Sequence, residues 1–488
     1  MIAEWCIGFL DEFQKAPERN IEDIYYEKKK AKQIPENMVE EILEDLEDLA
    51  QEYEEDYNVE YALKRTTAYF KERHLQLHLE EVRRLQENGE GEAAQALSTS
   101  YKGLSFRLAD DLDLGRKESL DKVKSAFTKL ATPLIEYPGA LGEILNDQMV
   151  RGGFVAMMAS EKRGKTWWLL DMAMRAAFNR NKVAFFQAGD MTEAQQIKRI
   201  ASYLTKLPTL EKYIGDIYTP EADCIRNQLD ICDKEQRRNN FGIFTGGEYD
   251  EYDIREKVLK EELIEKWKDW EHDYKPCTNC SEFHAERLGT PWLVPKKIPK
   301  VVGADDASKK VEEFFIKKGR YFKISTHPNN TLTVRRIKEI LKDWEVKPDG
   351  RIGHKEEMFI PSVIIVDYAD LMVPEKHKEF RHGQNEIWKD LRALSQELDC
   401  LVITATQADA KSYERKLLTM SNYSEDKRKF GHVTAMFGLN QDKHGREKQL
   451  GIMRINELVI REGEYHSANT VTVLQNLTTG KPFLDSYI

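Results

Sequence analysis

No apolar run in these 488 residues reaches the roughly 18 that a bilayer-spanning helix needs, so the chain offers no transmembrane candidate. Its opening, MIAEWCIGFLDEF, has neither a basic leader nor a long apolar stretch and does not read as a secretory signal. Cysteine is scarce: six residues in the whole chain cannot build a disulfide scaffold, and their spacing is better tested as metal-ligand spacing. An excess of basic charge is missing too. The formal net charge is −11, from 74 Lys and Arg against 85 Asp and Glu, so nucleic-acid contact would have to come from local basic patches. These absences predict a cytoplasmic protein with no membrane association. What is present, 41% hydrophobic and 33% charged residues, is the balance of a globular chain long enough for about two or three domains.

Along the chain, residues 1–103 read as a helical assembly domain. NMVEEILEDLEDLAQEYEEDY places Val39, Ile42, Leu43, Leu46 and Leu49 at helical spacing, with acids opposite. A second helix is expected from about Val59 to Gln86. Residues 104–150 read as a polar linker. From Gly152 the character changes: GGFVAMMA, KVAFFQAGD, YFKIST, SVIIVDYADLM and CLVITATQ are apolar strands separated by helices such as WWLLDMAMRAAF and NEIWKDLRALSQEL. That rhythm predicts an α/β domain over 151–488 with a mostly parallel sheet covered on both faces. A long polar excursion, about 208–319, interrupts it.

The first of these strands runs into ASEKRGKTWW, a phosphate-binding loop that lacks its first glycine: Ala159 stands there. Such a loop works because backbone N–H groups and a helix N-terminus converge on phosphates. The lysine neutralises charge and the Ser or Thr hydroxyl holds Mg²⁺. The tight turn belongs to Gly164, followed by Lys165 and Thr166. Alanine at the opening bend costs little while φ stays negative. Ala159, Ser160, Glu161, Lys162, Arg163, Gly164, Lys165, Thr166 and Trp167 are therefore the candidate nucleotide-binding residues. Asp367, ending the buried strand VIIVD, is placed to reach Mg²⁺, and Gln407, ending LVITATQ, to sense the γ-phosphate. The cofactors expected are ATP and Mg²⁺, the metal shared by Thr166 and Asp367.

From Gly152 onward the chain resembles the RecA-like P-loop core of DnaB-type replicative DNA helicases, in the form met in phages and mobile elements. ASEKRGKTWW is similar to the A-P-E-K-R-G-K-T-W-W version of the loop, and VAFFQAGDMTEAQ to the segment carrying the catalytic glutamate. IIVDYADLM resembles the Walker B strand, ITATQ the glutamine switch, and GHVTAMFGLNQ and VTVLQNLTTGKPFLDS the last core strands. The helical pair from Tyr61 to Tyr101 resembles the end of the family's N-terminal domain. The resemblance implies an ATP-dependent helicase that translocates on single-stranded DNA at replication forks, as a homo-hexamer with a primase or helicase loader as partner. A DNA-binding ATPase that does not unwind is the alternative. The general base falls on Asp190, one methylene shorter than the family's glutamate. The arginine finger falls on Arg461, with Arg454 as competitor.

Two basic stretches follow the Walker B strand and the glutamine strand, where the family's loops face a central channel. Lys376, Lys378, Arg381, Lys411, Arg415, Lys416, Lys427, Arg428 and Lys429 are the candidate phosphate-tracking charges. In the excursion, Cys224 and Cys232 pair with the PCTNC knuckle of Cys277 and Cys280. That quartet is expected to hold one structural Zn²⁺, with His272 and His284 as substitute ligands and ordinary buried cysteines as the other reading. Cys6 and Cys400 read as core residues.

Overall fold

A computed structural model of the chain describes residues 2–13, 20–52, 59–99, 101, 120, 123–124, 132–244, 246–247, 249–270, 273–280, 291–346, 359–375, 380–409, 412–413, 415–422, 427–461, 463 and 469–488. It divides into two units, Met1–Leu114 and Gly115–Ile488. The first is helical, with α-helices Ile2–Phe13, Asn20–Lys30, Val39–Glu52, Val59–Glu87 and Gly91–Thr99. Its small core is Tyr25, Ile34, Ile42 and Leu46, with Val39 and Leu43 packed against it. The Tyr25 hydroxyl donates to the Val39 carbonyl at 2.9 Å. The expected apolar stripe is thus seated, except that Leu49 lies out at 52% exposure.

Among the described residues the second unit has eleven strands: β1 Phe154–Ala159, β2 Val183–Gln187, β3 Gly215–Glu221, β4 Trp292–Ile298, β5 Phe322–Thr326, β6 Val363–Asp367, β7 Leu401–Gln407, β8 Ala435–Asn440, β9 Ile452–Ile460, β10 Thr470–Asn476 and β11 Lys481–Tyr487. Nine of them form one sheet in the order β11-β10-β9-β8-β1-β7-β6-β2-β5. From β5 to β8 the pairing is parallel; β9, β10 and β11 are added antiparallel. Residues alternate across the pleat. On β1, Val155, Met157 and Ala159 enter one core with the helix Lys165–Phe178. Phe154, Ala156 and Met158 enter the other, with the helices Val334–Val346 and Phe380–Glu397. Burial on both faces is why these strands read as continuous apolar runs. This is an α/β core on a mostly parallel sheet. Among the described residues no helix is long and apolar enough to cross a membrane.

The stretch expected to be a linker is corrected in its described part. Leu134, Ile135, Tyr137, Leu141, Leu145 and Met149 are buried in the same core as the helix Lys165–Phe178. The amide of Leu141 donates to Ser486 Oγ at 3.0 Å, and Asn181 Nδ2 to the Leu134 carbonyl at 2.8 Å. Residues 132–150 are therefore part of the second unit. The apolar positions are too irregularly spaced for a single helix, which is why the segment reads as a connector.

The excursion supplies its own core, which corrects the expectation of a metal-built insertion. Ile225, Ile243, Phe244, Ile254, Leu263, Tyr274, Trp292 and Leu293 are buried together. They are joined by Leu450, Ile452, Leu474 and Tyr487 from the antiparallel end of the sheet. The cysteine segments do meet, since the Cys224 amide donates to the Cys277 carbonyl at 3.0 Å. What organises that meeting is a buried carboxyl. Asp223 accepts from the amides of Cys224 at 2.8 Å and Cys277 at 2.9 Å, from the Tyr274 hydroxyl at 2.6 Å and from Asn227 Nδ2 at 3.1 Å. Burial pushes its pKa up to about 6 against these bonds. Among the described residues no three His, Cys, Asp or Glu side chains gather to hold a metal ion, so Cys224, Cys232, Cys277 and Cys280 do not form the expected Zn²⁺ site. His272 and His284 lie outside the described residues. Trp292 is 2% exposed and its ring lies 5.0 Å from that of Tyr274. Trp292→Ala is expected to cost about 3–5 kcal/mol, seen as rapid proteolysis between residues 208 and 319 with nucleotide affinity retained.

Candidate functional site

The parallel strands end level. Ala159 on β1 lies opposite Gln407 on β7 and Leu439 on β8, and Gln187 on β2 opposite Asp367 on β6 and Thr326 on β5. Chemistry carried on these carboxyl-terminal ends therefore shares one crevice, the usual ligand position in open parallel sheets. The phosphate loop leaves β1 and turns into the helix Lys165–Phe178 through Gly164, whose φ is +85°. A Cβ there would stand 3.3 Å from Leu477 Cδ1. Ala159 ends the strand fully buried and is not among the residues with positive φ, so its missing glycine requires no strained conformation.

Lys165 folds back over the loop, its Nζ 3.2 Å from the Ala159 carbonyl and 3.5 Å from that of Ser160. Burial lowers its pKa, while Asp370, Glu161, Asp190 and Asp367 around it pull the other way. Thr166 Oγ1 donates to Asp367 Oδ1 at 3.3 Å. With its amide nitrogen turned toward Asp367, Gln187 donates to the other oxygen at 3.2 Å and accepts from the Met191 amide at 3.3 Å. Asp367 is fully buried, and that burial, followed by repulsion from Asp190, pushes its pKa up to about 7. A carboxyl so poorly compensated, one hydroxyl from the phosphate loop, fits a divalent cation shared with Thr166. Asp190 itself is exposed, at the mouth of the crevice. Gly189 puts it there: at φ +108° its α-carbon is pressed against the backbone of Asn329, where a Cβ would meet Asn329 Cα at 2.3 Å.

Gln407 Nε2 donates to Glu161 Oε1 at 3.0 Å, so the end of β7 and the candidate phosphate loop are in contact. Arg163 bridges to Gln441 Oε1 and the Asp442 carbonyl, each at 3.3 Å. The hydroxyls of Ser160 and Ser412 are 2.7 Å apart and buried, and either can donate. Lys162 is exposed with φ +58°, and Trp167 is half-buried beneath a guanidinium. That guanidinium belongs to Arg199, which the sequence reading did not single out. It lies 5.4 Å from the Trp167 ring centroid, with Nη1 buried and making no hydrogen bond. Burial lowers its pKa, against the pull of Asp367 and Asp190. An unsatisfied buried donor facing two carboxylates is what an anion bound there would complete. The available signal was helical spacing, since Arg199 shares its face with Gln196 and Tyr203 on the helix Glu193–Thr205.

The two arginine candidates separate. Arg454 is 9% exposed and ion-paired to Glu447 within the same chain, Nε to Oε1 2.6 Å. Arg461 is exposed at the end of β9, with Nη2 donating to the Gly431 carbonyl. The basic stretches separate as well. Arg381, Arg415, Lys416 and Arg428 are exposed. Lys427 is described in its backbone only, and Lys376, Lys378 and Lys411 lie outside the described residues. Lys429 is a correction: its side chain is 0% exposed and ion-paired to Asp370 at 2.8 Å, so it does not present its charge to a channel.

No family model matches the chain, and no curated protein does. Among solved structures, 360 chains match. One is a structure of an ATPase domain, 15% identical, covering 77% of this chain and 100% of its own length with a TM-score of 0.46. Another is a DnaB-like replicative helicase described with its interactions with primase, 14% identical, covering 90% of this chain and 82% of its own, with a TM-score of 0.49.

Two outcomes follow from the site. Ala159→Gly is expected to leave affinity for a fluorescent ATP analogue within about threefold, whereas Gly164→Ala, forced to positive φ, should weaken it by at least about tenfold. A large gain from Ala159→Gly would refute the account of that position. The raised Asp367 pKa also sets a pH window. Between its unfolded value near 3.8 and about 7 the folded state holds the extra proton, so stability falls as pH rises through that range. Asp367→Asn is therefore expected to raise the melting temperature of the nucleotide-free protein, by a margin that grows from pH 4 to pH 7 and is constant above it. An equal margin at pH 4 and pH 8 would contradict this.

Proposed function

We propose that the chain is a DnaB-like, ATP-dependent DNA helicase that translocates on single-stranded DNA and separates duplex at replication forks. The observation that carries the reading is the convergence of Lys165, Thr166, Asp367, Asp190, Arg199 and Gln407 on one sheet edge. When bound, Mg²⁺ would neutralise phosphate charge and favour departure of the γ-phosphoryl group. Thr166 and Asp367 would hold it. Lys165 exchanges its two carbonyl partners for phosphate oxygens, and the N-terminal amides of the helix it begins add their dipoles. Asp190 takes the proton of the attacking water, its short side chain being offset by the loop that Gly189 presses inward. Arg199 meets the charge that develops on the transferred group. Gln407 leaves Glu161 for the γ-phosphate and returns when the phosphate is gone.

Arg461, exposed and at a strand end, is the residue suited to enter a neighbouring subunit's site. That role requires a ring, read as a homo-hexamer, with the helical first unit as its assembly domain. By analogy with the helicase described with primase, a primase or a loader is the expected protein partner. Arg381, Arg415, Lys416 and Arg428 are the described charges suited to follow the strand. The alternative, a DNA-binding ATPase that does not unwind, shares every residue of the nucleotide site.

The test is ATP hydrolysis and fork unwinding by the full chain, with and without single-stranded DNA. Lys165→Ala is expected to abolish turnover in a folded protein. DNA-stimulated turnover without unwinding would select the alternative, and turnover indifferent to DNA would remove nucleic acid altogether. Replacing Arg415, Lys416 and Arg428 by glutamate should weaken binding to single strands and reduce its salt slope by about 0.7 per lost phosphate contact. Unchanged affinity would exclude that loop from the DNA path.

A further inference from the structure

The buried Lys429 sits at the centre of a run of bonds that meets the nucleotide site only at its Gln407 end. Asp370 lies in the turn Ala369–Leu371, just past the strand that ends in Asp367. Its Oδ2 accepts from Thr406 Oγ1 at 2.8 Å and from the Gln407 amide at 3.0 Å. Its Oδ1 accepts from Lys429 Nζ at 2.8 Å. The ammonium also lies 5.3 Å from the centroid of the buried Trp388 ring. Lys429 belongs to the turn Lys427–Gly431, and the carbonyl that closes this turn, Gly431 O, accepts from Arg461. At the other end, Gln407 reaches Glu161 in the phosphate loop. One continuous chain of contacts thus joins the phosphate loop to the exposed arginine: Glu161, Gln407, Asp370, Lys429, Gly431, Arg461.

Two features separate this run from ordinary loop packing. An ion pair with 0% and 9% of its side chains exposed adds little stability over apolar side chains of the same shape, but it fixes geometry closely. Asp370 is also the junction, one carboxylate holding the main chain of Gln407 with one oxygen and the turn beneath Arg461 with the other. Moving either end without the other breaks a buried charge-assisted bond.

We propose that Asp370 and Lys429 are positioning residues that lock Gln407 and the Arg461 turn into a single unit, so that the state of this chain's own nucleotide site sets the presentation of Arg461 to the neighbouring one. The inference rests on the ATPase reading above and names the residues through which one site would inform the next. Lys429 contacts neither nucleotide nor DNA in this scheme. A double-mutant cycle separates coupling between Lys429 and Arg461 from mere adjacency.

The experiment uses the full chain and measures kcat for ATP, affinity for a fluorescent ATP analogue and melting temperature. Lys429→Met is expected to lower kcat by about 10-fold to 100-fold, the size of effect that a slight displacement of a catalytic group produces. Analogue affinity should stay within about threefold, because the phosphate loop is intact. Asp370→Asn with Lys429→Met leaves no lone buried charge, so it should melt near the wild type yet remain slow; it carries the test if the single variant does not fold. Lys429→Arg should recover part of the rate. In the cycle with Arg461→Ala, the doubly changed chain should be no slower than the slower single variant. The inference is overturned if the Asp370→Asn/Lys429→Met chain turns over within about twofold of wild type, or if the losses at Lys429 and Arg461 simply multiply. Lys165→Ala keeps the two levels apart: if it too turns over normally, the ATPase reading fails and takes this one with it. If it is inactive while the pair variants are normal, only the relay fails.

Discussion

The site depends on the parallel register of four adjacent strands. With β1, β7, β6 and β2 hydrogen-bonded in step, Ala159 and Gln407 end level on one pair and Asp367 and Gln187 on the other. A slip of one residue between β1 and β7 would turn Gln407 into the opposite face of the sheet. The register is held by burial on both faces, where each strand drives alternate side chains into separate cores. With each fully buried large apolar side chain contributing about 1.5–3 kcal/mol, those cores can sustain Asp367, a carboxyl buried at some cost beside Thr166. The strain of that carboxyl and the readiness of the site to take a cation are one fact seen from two sides.

Features set by local chemistry were readable in the chain. The strands and helices of the second unit follow their apolar patterns closely: β6 ends at Asp367 and β7 at Gln407, where the motifs place the candidate site. Gly164 takes the positive φ that the phosphate loop requires, and Ala159 avoids it. Thr192 caps the helix that carries Arg199, in a capping box with Gln195.

What escaped the reading was decided at long range. The charge of Lys429 looks like any other in SEDKRKFG, and only the return of that segment to Asp370, 59 residues away in sequence, buries it. Arg454 and Arg461 are indistinguishable as letters, but the pleat of β9 turns one into an ion pair with Glu447 while the other ends the strand in solvent. The cysteine spacing in the excursion invited a metal, since no core was visible in so charged a sequence. The missing apolar partners were Leu450, Ile452, Leu474 and Tyr487, which lie far along the chain. Arg199 was passed over because a basic residue on an amphipathic helix is most often solvated.

Those same partners give the excursion a standing that its position in the chain conceals. It leaves the fold after the helix Glu193–Thr205 and rests on the antiparallel end of the sheet, where Pro220 packs so closely on Gly451 that a Cβ there would come within 2.9 Å of its ring. Asn476 Nδ2 also donates to Thr219 Oγ1 at 3.0 Å. A segment that looks added, and therefore dispensable, is the wall of the last strands. Removing it would open a strip of Leu450, Ile452, Leu474 and Tyr487 to water. A version of the chain without the excursion would need polar side chains at those positions, so the excursion and the apolar face of β9 and β10 act as one structural unit.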